Sequence, residues 1–268
     1  MRIVVPVKHV PDIHSDRKFT QEGRVARGAE HGTLNELDEN AIECALQLVE
    51  AFGPELRETH EVIVLTVGPI EAEGAIRKAY QLGADTGIRV TDEALAGSDI
   101  FGTATALAAA IRKIEQDGPI DLVITGMAAL DGLGSVIPSL LAAELARPQM
   151  TLATKLSVEN GVIEITRELD GVTEVLTAAL PAVVSVTDHV NTPRYPNFKL
   201  IMAARTKTIE EWNLTDLNLP ADTVGTAGAR TTVTKSALRP PRELTELVTD
   251  KGEGGTALAH YLIKNDLV

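Results

Sequence analysis

Aromatic side chains make up only 3% of this 268-residue chain, too few to build the stacking platforms on which single-stranded nucleic acid lies. Basic residues are also in deficit. A formal net charge of −13 excludes nucleic acid and anionic membrane as the main partner, since both are bound through a surplus of Lys and Arg. The single cysteine, Cys44, rules out a disulfide within the chain and fits a reducing compartment. Its setting, ENAIECALQL, makes it a packed thiol on the apolar side of a helix. No apolar run approaches the ~18 residues of a membrane span, and MRIVVPVKHV is too short for a signal segment. A cytoplasmic location without direct membrane insertion is therefore expected. The six histidines lack metal-ligand spacing. Walker loops, Gly-x-Ser-x-Gly elbows, catalytic-cysteine contexts and paired carboxylates at strand ends are missing too. The absences describe a binder rather than a catalyst.

Residues 2–8 read as a buried strand, and Pro6 takes the backbone out of the ladder near its end. Residues 6–13 are thus the first candidate site segment, because ligands of open parallel sheets collect beyond the carboxyl ends of the strands. Residues 16–31 read as a long loop or short hairpin. Asn35 precedes a periodic helix over 37–49 with Glu36, Asp38 and Glu39 in its first turn, where acids complement the helix dipole. Strands over 61–67, 87–91 and 121–125 alternate with helices over 71–82, from Ser98 or Asp99 to about Lys113, and over 136–146. Four such β-α units predict an α/β fold with a doubly wound, mainly parallel sheet. The loop from Gly126 holds Gly132, Gly134, Ser135, Val136 and Ile137, which lacks the third glycine of a dinucleotide fingerprint. It follows a strand and opens a helix, where backbone amides suit a phosphate; it reads equally well as a structural turn.

Beyond Met150, strands over 151–158, 162–168 and 173–179 are separated by turns at Asn160-Gly161 and Asp170-Gly171, which predicts antiparallel strands added at a sheet edge. Residues 182–186 form a further buried strand. Pro193 and Pro196 keep residues 188–199 extended. Tyr195, Phe198, Leu200, Ile201 and Met202 give that stretch an apolar tip among Arg194, Lys199, Arg205 and Lys207. Apolar anchors ringed by charge make partner-docking patches; a surface loop leading into a core helix is the plainer alternative. After Lys207 the chain is rich in Thr, Pro, Gly and charge, with Trp212, Leu214 and Leu217 as isolated apolar residues. Such a segment does not bury a core of its own. The division expected is a nucleotide-binding domain over 1–205, including a loop at 190–203, and an extended arm over 206–268 that ends in a helix over 255–264.

The stretches MRIVVPVKHVPD, LNELDENAIECAL, VLTVGP, AIRKAYQLGAD, DLVITG, RPQMT, LPAVVSV and N-x-PRY ahead of IMAARTK resemble the electron transfer flavoprotein β subunits, over essentially the whole chain. Arg167, Asp170, Gly171 and Glu174 belong to the same signature. The resemblance implies an adenine-nucleotide hydrolase-like sheet, a heterodimer with an α subunit, AMP in this chain and FAD held mainly by the partner. It implies that electrons pass from flavin dehydrogenases, such as acyl-CoA dehydrogenases, toward a quinone oxidoreductase. It sets AMP against Pro6, Asn35, Val67, Gly126, Asp131, Gly132, Gly134, Ser135, Val136 and Ile137. Val7, Lys8, His9 and Ile13 would lie near FAD, and Arg194, Tyr195, Phe198, Leu200, Ile201 and Met202 would dock partners. The chain departs from the pattern at Val172, where a glycine is usual, at Ser135, where glutamine is common, and at Ile13, where some members carry an aromatic. Other readings of this architecture are an adenine-nucleotide-binding enzyme, a stress-type nucleotide module, and a bifurcating electron transfer flavoprotein with a second FAD in the β subunit.

Overall fold

The computed structural model describes residues 1–15, 17–21, 23–27, 32–237, 239–241 and 249–268. The loop expected over 16–31, with His31, lies partly outside the described residues, as does the middle of the expected arm. In chain order the strands are β1 (Arg2–Pro6), β2 (His9–Pro11), β3 (Gly32–Leu34), β4 (Glu61–Val67), β5 (Thr86–Val90), β6 (Leu122–Gly126), β7 (Gln149–Ala153), β8 (Lys155–Glu159), β9 (Val162–Leu169), β10 (Val172–Ala179), β11 (Ala182–Val186) and β12 (Glu210–Trp212). The helices are α1 (Glu36–Glu50), α2 (Glu73–Leu82), α3 (Ile100–Ile114), α4 (Ile137–Glu144), α5 (Phe198–Thr206), α6 (Gly225–Gly228) and α7 (Gly254–Lys264).

Seven strands form one parallel sheet in the order β12-β5-β4-β1-β6-β11-β7. Its strands are apolar at nearly every position because both faces are covered. Ile3, Val5, Val62, Val64, Leu122, Ile124, Ala182 and Val184 face α1 and α2. Val4, Ile63, Leu65, Val123 and Val183 face α3 and α4. From β1 the chain winds outward through β4 and β5, then returns to place β6 on the other side of β1. The crevice beyond the ends of β1 and β6 is therefore the topological switch point, where doubly wound sheets bind ligands.

The antiparallel strands expected after Met150 are present, and they pair as a sheet of their own, β10-β9-β8. The predicted strand over 151–158 is two strands. Its first half, β7, runs parallel to β11 at the edge of the main sheet. At Thr154 the chain turns away, its N–H donating to Thr166 O at 2.8 Å. The small sheet then buries Ile163 and Ile165 against the α1 side of the core.

The arm predicted from residue 206 needs correction. Residues 210–212 add the seventh strand, β12, parallel to β5, and Leu214, Leu217 and Val224 are buried beside α3. Ser98 Oγ accepts from Gly225 N at 2.7 Å, and Asp99, which caps α3, also accepts from Arg230 N at 2.7 Å. The first compact unit thus runs over Met1–Thr234, and the second over Lys235–Val268. Composition misled because the apolar residues between 212 and 224 are too sparse to make a core alone, yet they complete one begun by the sheet. In the second unit α7 leaves Leu258, Tyr261 and Ile263 exposed.

Leu214→Ala is accordingly expected to destabilise the chain by about 2–4 kcal/mol in urea unfolding, the cost of a large-to-small change in a packed core. A truncation after Thr234 should unfold at the same urea midpoint as the whole chain; a loss on the scale of Leu214→Ala would mean that the boundary lies further on.

Candidate nucleotide site and docking surface

The residues gathered at the switch point come from three stretches. β1 ends at Pro6, whose neighbour Val7 donates its N–H to Leu65 O at 2.8 Å as the chain leaves the sheet. β6 ends at Gly126, where an added Cβ would lie 2.6 Å from Leu37 O and 2.8 Å from Asp38 Oδ1. Only glycine lets the first turn of α1 come this close. Val67, half-buried at the end of β4, closes the side next to β1.

Asn35 and Asp131, set against the nucleotide by the resemblance, both have their side-chain polar atoms bonded within the chain. Asn35 is fully buried. Its Nδ2 donates to Ala128 O at 2.9 Å and its Oδ1 accepts from Leu130 N at 3.0 Å. It therefore binds the loop after β6 as a strand neighbour would. Asp131 has a side chain only 1% exposed, with Oδ1 accepting from Lys8 Nζ at 2.9 Å and Oδ2 from Arg27 Nε at 2.9 Å. Burial works to raise its pKa, but the two cations outweigh it and hold the carboxyl below its usual range. Both residues shape the loop's backbone through their side chains.

That backbone is suited to an anion. Leu133 and Ser135 take φ of 48° and 52°, alternating with residues of negative φ, a pattern that turns successive N–H groups toward one concavity. The N–H groups of Gly134, Ser135 and Val136 meet no acceptor among the described residues. α4 begins directly afterwards with no side-chain cap and with proline in its first turn, so its positive end is uncovered. Gly132 and Gly134 have nothing within 4 Å of an added Cβ. One residue before Gly126, the buried Thr125 Oγ1 has no hydrogen-bond partner. Sequence reasoning missed Thr125, since a threonine in a strand carries no signal of its own.

Asp38 was missed as well. Read as a dipole-complementing acid, it is in fact 6% exposed, accepting from Lys8 N at 2.8 Å. Burial pushes its pKa up to about 7, against the opposing effect of Asn35 and the Lys8 amide. The acid in the first turn is thus a buried bracket between β1 and α1.

Of the four residues near the expected flavin, Val7 and His9 are buried at 5% and 8% exposure. The His9 ring fills the space where a Cβ on Gly32 would fall, and burial lowers its pKa. Lys8 and Ile13 are the two that reach the surface. A concavity of about 680 Å³ lies at the opposite ends of the strands, lined by Arg2, Arg57, His60, Glu61 and Asp85. Four of its charged groups are paired, Arg2 with Glu61 at 3.0 Å and Arg57 with Asp85 at 2.8 Å, and it carries none of the switch-point features.

The expected docking residues follow β11. Residues 187–197 carry no regular structure, but the extended stretch expected to 199 ends two residues early, because α5 starts at Phe198 with Asn197 Oδ1 accepting from Leu200 N at 2.9 Å as its cap. Tyr195 is 94% exposed, Phe198 78% and Met202 44%. Leu200 and Ile201 are half-buried, Leu200 lying toward Gly83 at the end of α2. Two of the flanking cations are not free. Lys207 donates to Ala84 O at 2.8 Å and sits over the Tyr80 ring, and Arg194 is paired with Glu43 and Glu50. The apolar tip is therefore Tyr195, Phe198 and Met202, with Lys199 and Arg205 exposed beside it.

The profile of the electron transfer flavoprotein domain matches residues 23–217. The electron transfer flavoprotein subunit beta of Mycobacterium tuberculosis is 41% identical over 267 residues, covering 99% of both chains. The caffeyl-CoA reductase-Etf complex subunit CarD of Acetobacterium woodii is 31% identical over 93% of this chain and 92% of its own length. Protein FixA of Azotobacter vinelandii is 30% identical over 90% of this chain and 85% of its own.

The buried Asp38 generates a pH dependence of definite sign. With a folded pKa of about 7 against 3.8 for the free side chain, the folded state binds the extra proton. Stability from this group is complete below pH 4 and is lost as pH rises through 7, by up to about 4 kcal/mol. Asp38→Asn should therefore gain stability relative to the parent between pH 5 and 8, read as a widening difference in Tm; a difference that stays constant with pH would refute the assignment.

Proposed function

The chain belongs to the electron transfer flavoprotein family, among its β subunits, and from that premise we propose that it holds AMP at the switch point, covers a partner-held FAD and docks flavin dehydrogenases through the Tyr195–Phe198–Met202 surface. As a β subunit it is a component of a heterodimeric electron carrier. The observation that carries the nucleotide reading is the run of unengaged amides over residues 134–136 ahead of the uncapped α4. An anion of phosphate size satisfies these amides and the dipole behind them. Lys8 and Arg27, which could otherwise neutralise a second phosphate, are committed to Asp131. This favours a monophosphate over the diphosphate of a second FAD. The buried hydroxyl of Thr125 supplies a further polar group beneath the loop.

FAD, when bound by the heterodimer, supplies the centre that takes up and gives back electrons. In this chain Lys8 and Ile13 would approach it, a reading supported by their exposure while Val7 and His9 are enclosed. Lys8 is tied to Asp131 and would reach the flavin only as half of an ion pair. Electrons then pass on toward a quinone oxidoreductase, and the exposed apolar face of α7 would lie on the α subunit. The docking reading is supported by the exposure of three large apolar side chains, Tyr195 on the loop after β11 and Phe198 and Met202 on α5, an arrangement typical of partner surfaces.

Mass spectrometry of the small molecules released on denaturing the purified heterodimer should find one AMP and one FAD per pair. Two FAD and no AMP would replace this reading with the bifurcating one. For docking, Phe198→Ala is expected to lower kcat/KM with an acyl-CoA dehydrogenase as electron donor by about tenfold, the scale of a truncated interface anchor, while the bound flavin spectrum stays as it was. An unchanged kcat/KM would dismiss Phe198 as a docking residue.

A further inference from the structure

Arg194 sits one residue before the most exposed side chain of the docking loop, yet it faces the other way. Along α1, Asn40, Glu43, Gln47 and Glu50 recur at spacings of three and four and make one polar stripe. The loop over residues 187–197 is fastened to that stripe at two points. Asn40 Nδ2 donates to Asn191 O at 3.2 Å, and Asn191 Nδ2 returns a bond to Asn40 O at 3.0 Å. Arg194 then spans two carboxylates. Its Nε and Nη2 donate to Glu43 at 2.6 and 3.1 Å, and its Nη1 and Nη2 donate to Glu50 at 2.7 and 2.9 Å. Glu43 is 5% exposed and also accepts from Gln47 Nε2 at 2.9 Å. All three guanidinium nitrogens are thus spent within the chain.

We propose that Arg194, with Asn191, is a positioning residue: the Arg194–Glu43–Glu50 and Asn191–Asn40 contacts clamp the loop to α1 and hold Tyr195 and Phe198 in the conformation that a partner meets. The clamp rests on reading the loop as a docking surface. A planar fork bound by two carboxylates fixes the direction of the backbone on either side of it, which a point charge does not. Tyr195, 94% exposed, has no packing of its own to fix it, and Phe198, 78% exposed at the start of α5, is oriented by the way the loop enters that helix. Without the clamp the loop samples many conformations, and a partner has to select the competent one at a cost in apparent affinity. The effect therefore belongs in KM and not in kcat.

The test compares Arg194→Ala, Arg194→Lys and Asn191→Ala in the purified heterodimer, with two readouts: hydrogen exchange of residues 187–197, and KM and kcat with an acyl-CoA dehydrogenase as donor. Arg194→Ala should speed exchange in the loop and raise KM, each by about tenfold, with kcat unchanged. Arg194→Lys should fall between it and the parent, having the charge without the fork. Asn191→Ala leaves no buried carboxylate unpaired, so it tests the clamp even if Arg194→Ala does not fold, and about fivefold in both readouts is expected. Unchanged exchange in both alanine variants overturns the proposal. So does a raised KM without faster exchange, which would make Arg194 a direct contact. If Phe198→Ala leaves KM unaltered while Arg194→Ala still loosens the loop, the docking reading has failed and the clamp has not.

Discussion

The side chain of Asn35 is the contact on which the candidate site depends. The loop after β6 has no neighbouring strand to satisfy its backbone, and in a buried position an unsatisfied carbonyl or amide costs as much as several surface contacts contribute. Asn35 supplies both halves of the missing pairing, donating to Ala128 O and accepting from Leu130 N. It can do so only because α1 approaches β6 closely, which requires a residue without a side chain at Gly126. The close approach in turn buries Asp38, whose carboxylate brackets Lys8 N. Glycine, amide and carboxylate are one arrangement, and a change at any of them is felt at the other two.

Charge pairs fix two loops of this acidic chain. Near the switch point Lys8 and Arg27 converge on Asp131, and on the side of α1 Arg194 converges with Glu43 and Glu50. In both places a nearly enclosed carboxylate is paired with a more exposed cation, which makes the pair a device for fixing a loop rather than a source of much net stability. The consequence is that the anion site proposed ahead of α4 would rely on backbone amides and the end of that helix, which do not titrate near neutral pH.

The sheet and its helices were legible because their apolar periodicity is local: β4 and β11 were readable to the residue at Glu61–Val67 and Ala182–Val186, and Asp99 was one of two caps offered by the sequence. What was not legible depended on distant partners. Residues 212–224 looked too sparse to pack, because the sheet and α3 that complete their core lie a hundred residues earlier. The strand over 151–158 was read as continuous, because nothing in its alternation marks the point where Thr154 leaves one sheet for another. At the site, the positions of Pro6, Gly126 and the loop to Ile137 could be read from motif and order. The inward turn of Asn35 and Asp131 could not, since a polar side chain in sequence carries no mark of whether it faces a ligand or its own backbone.

Helix α1 links the two candidate surfaces through unlike means. Its first turn holds the loop after β6 by buried, uncharged or protonatable contacts, while its outer stripe holds the loop after β11 by charge-assisted ones. Between them the apolar face of the helix, with Ile42, Ala45, Leu46 and Val49, is packed without exposure on the sheet, and packed cores transmit displacement instead of absorbing it. A substitution that shifts α1 along its axis would therefore disturb both loops together. One confined to the stripe would disturb the loop after β11 alone, since Asn40, Glu43 and Glu50 make no hydrogen bond to the loop after β6 among the described residues. The helix is better understood as a common support with two separable attachments than as a signal path between them.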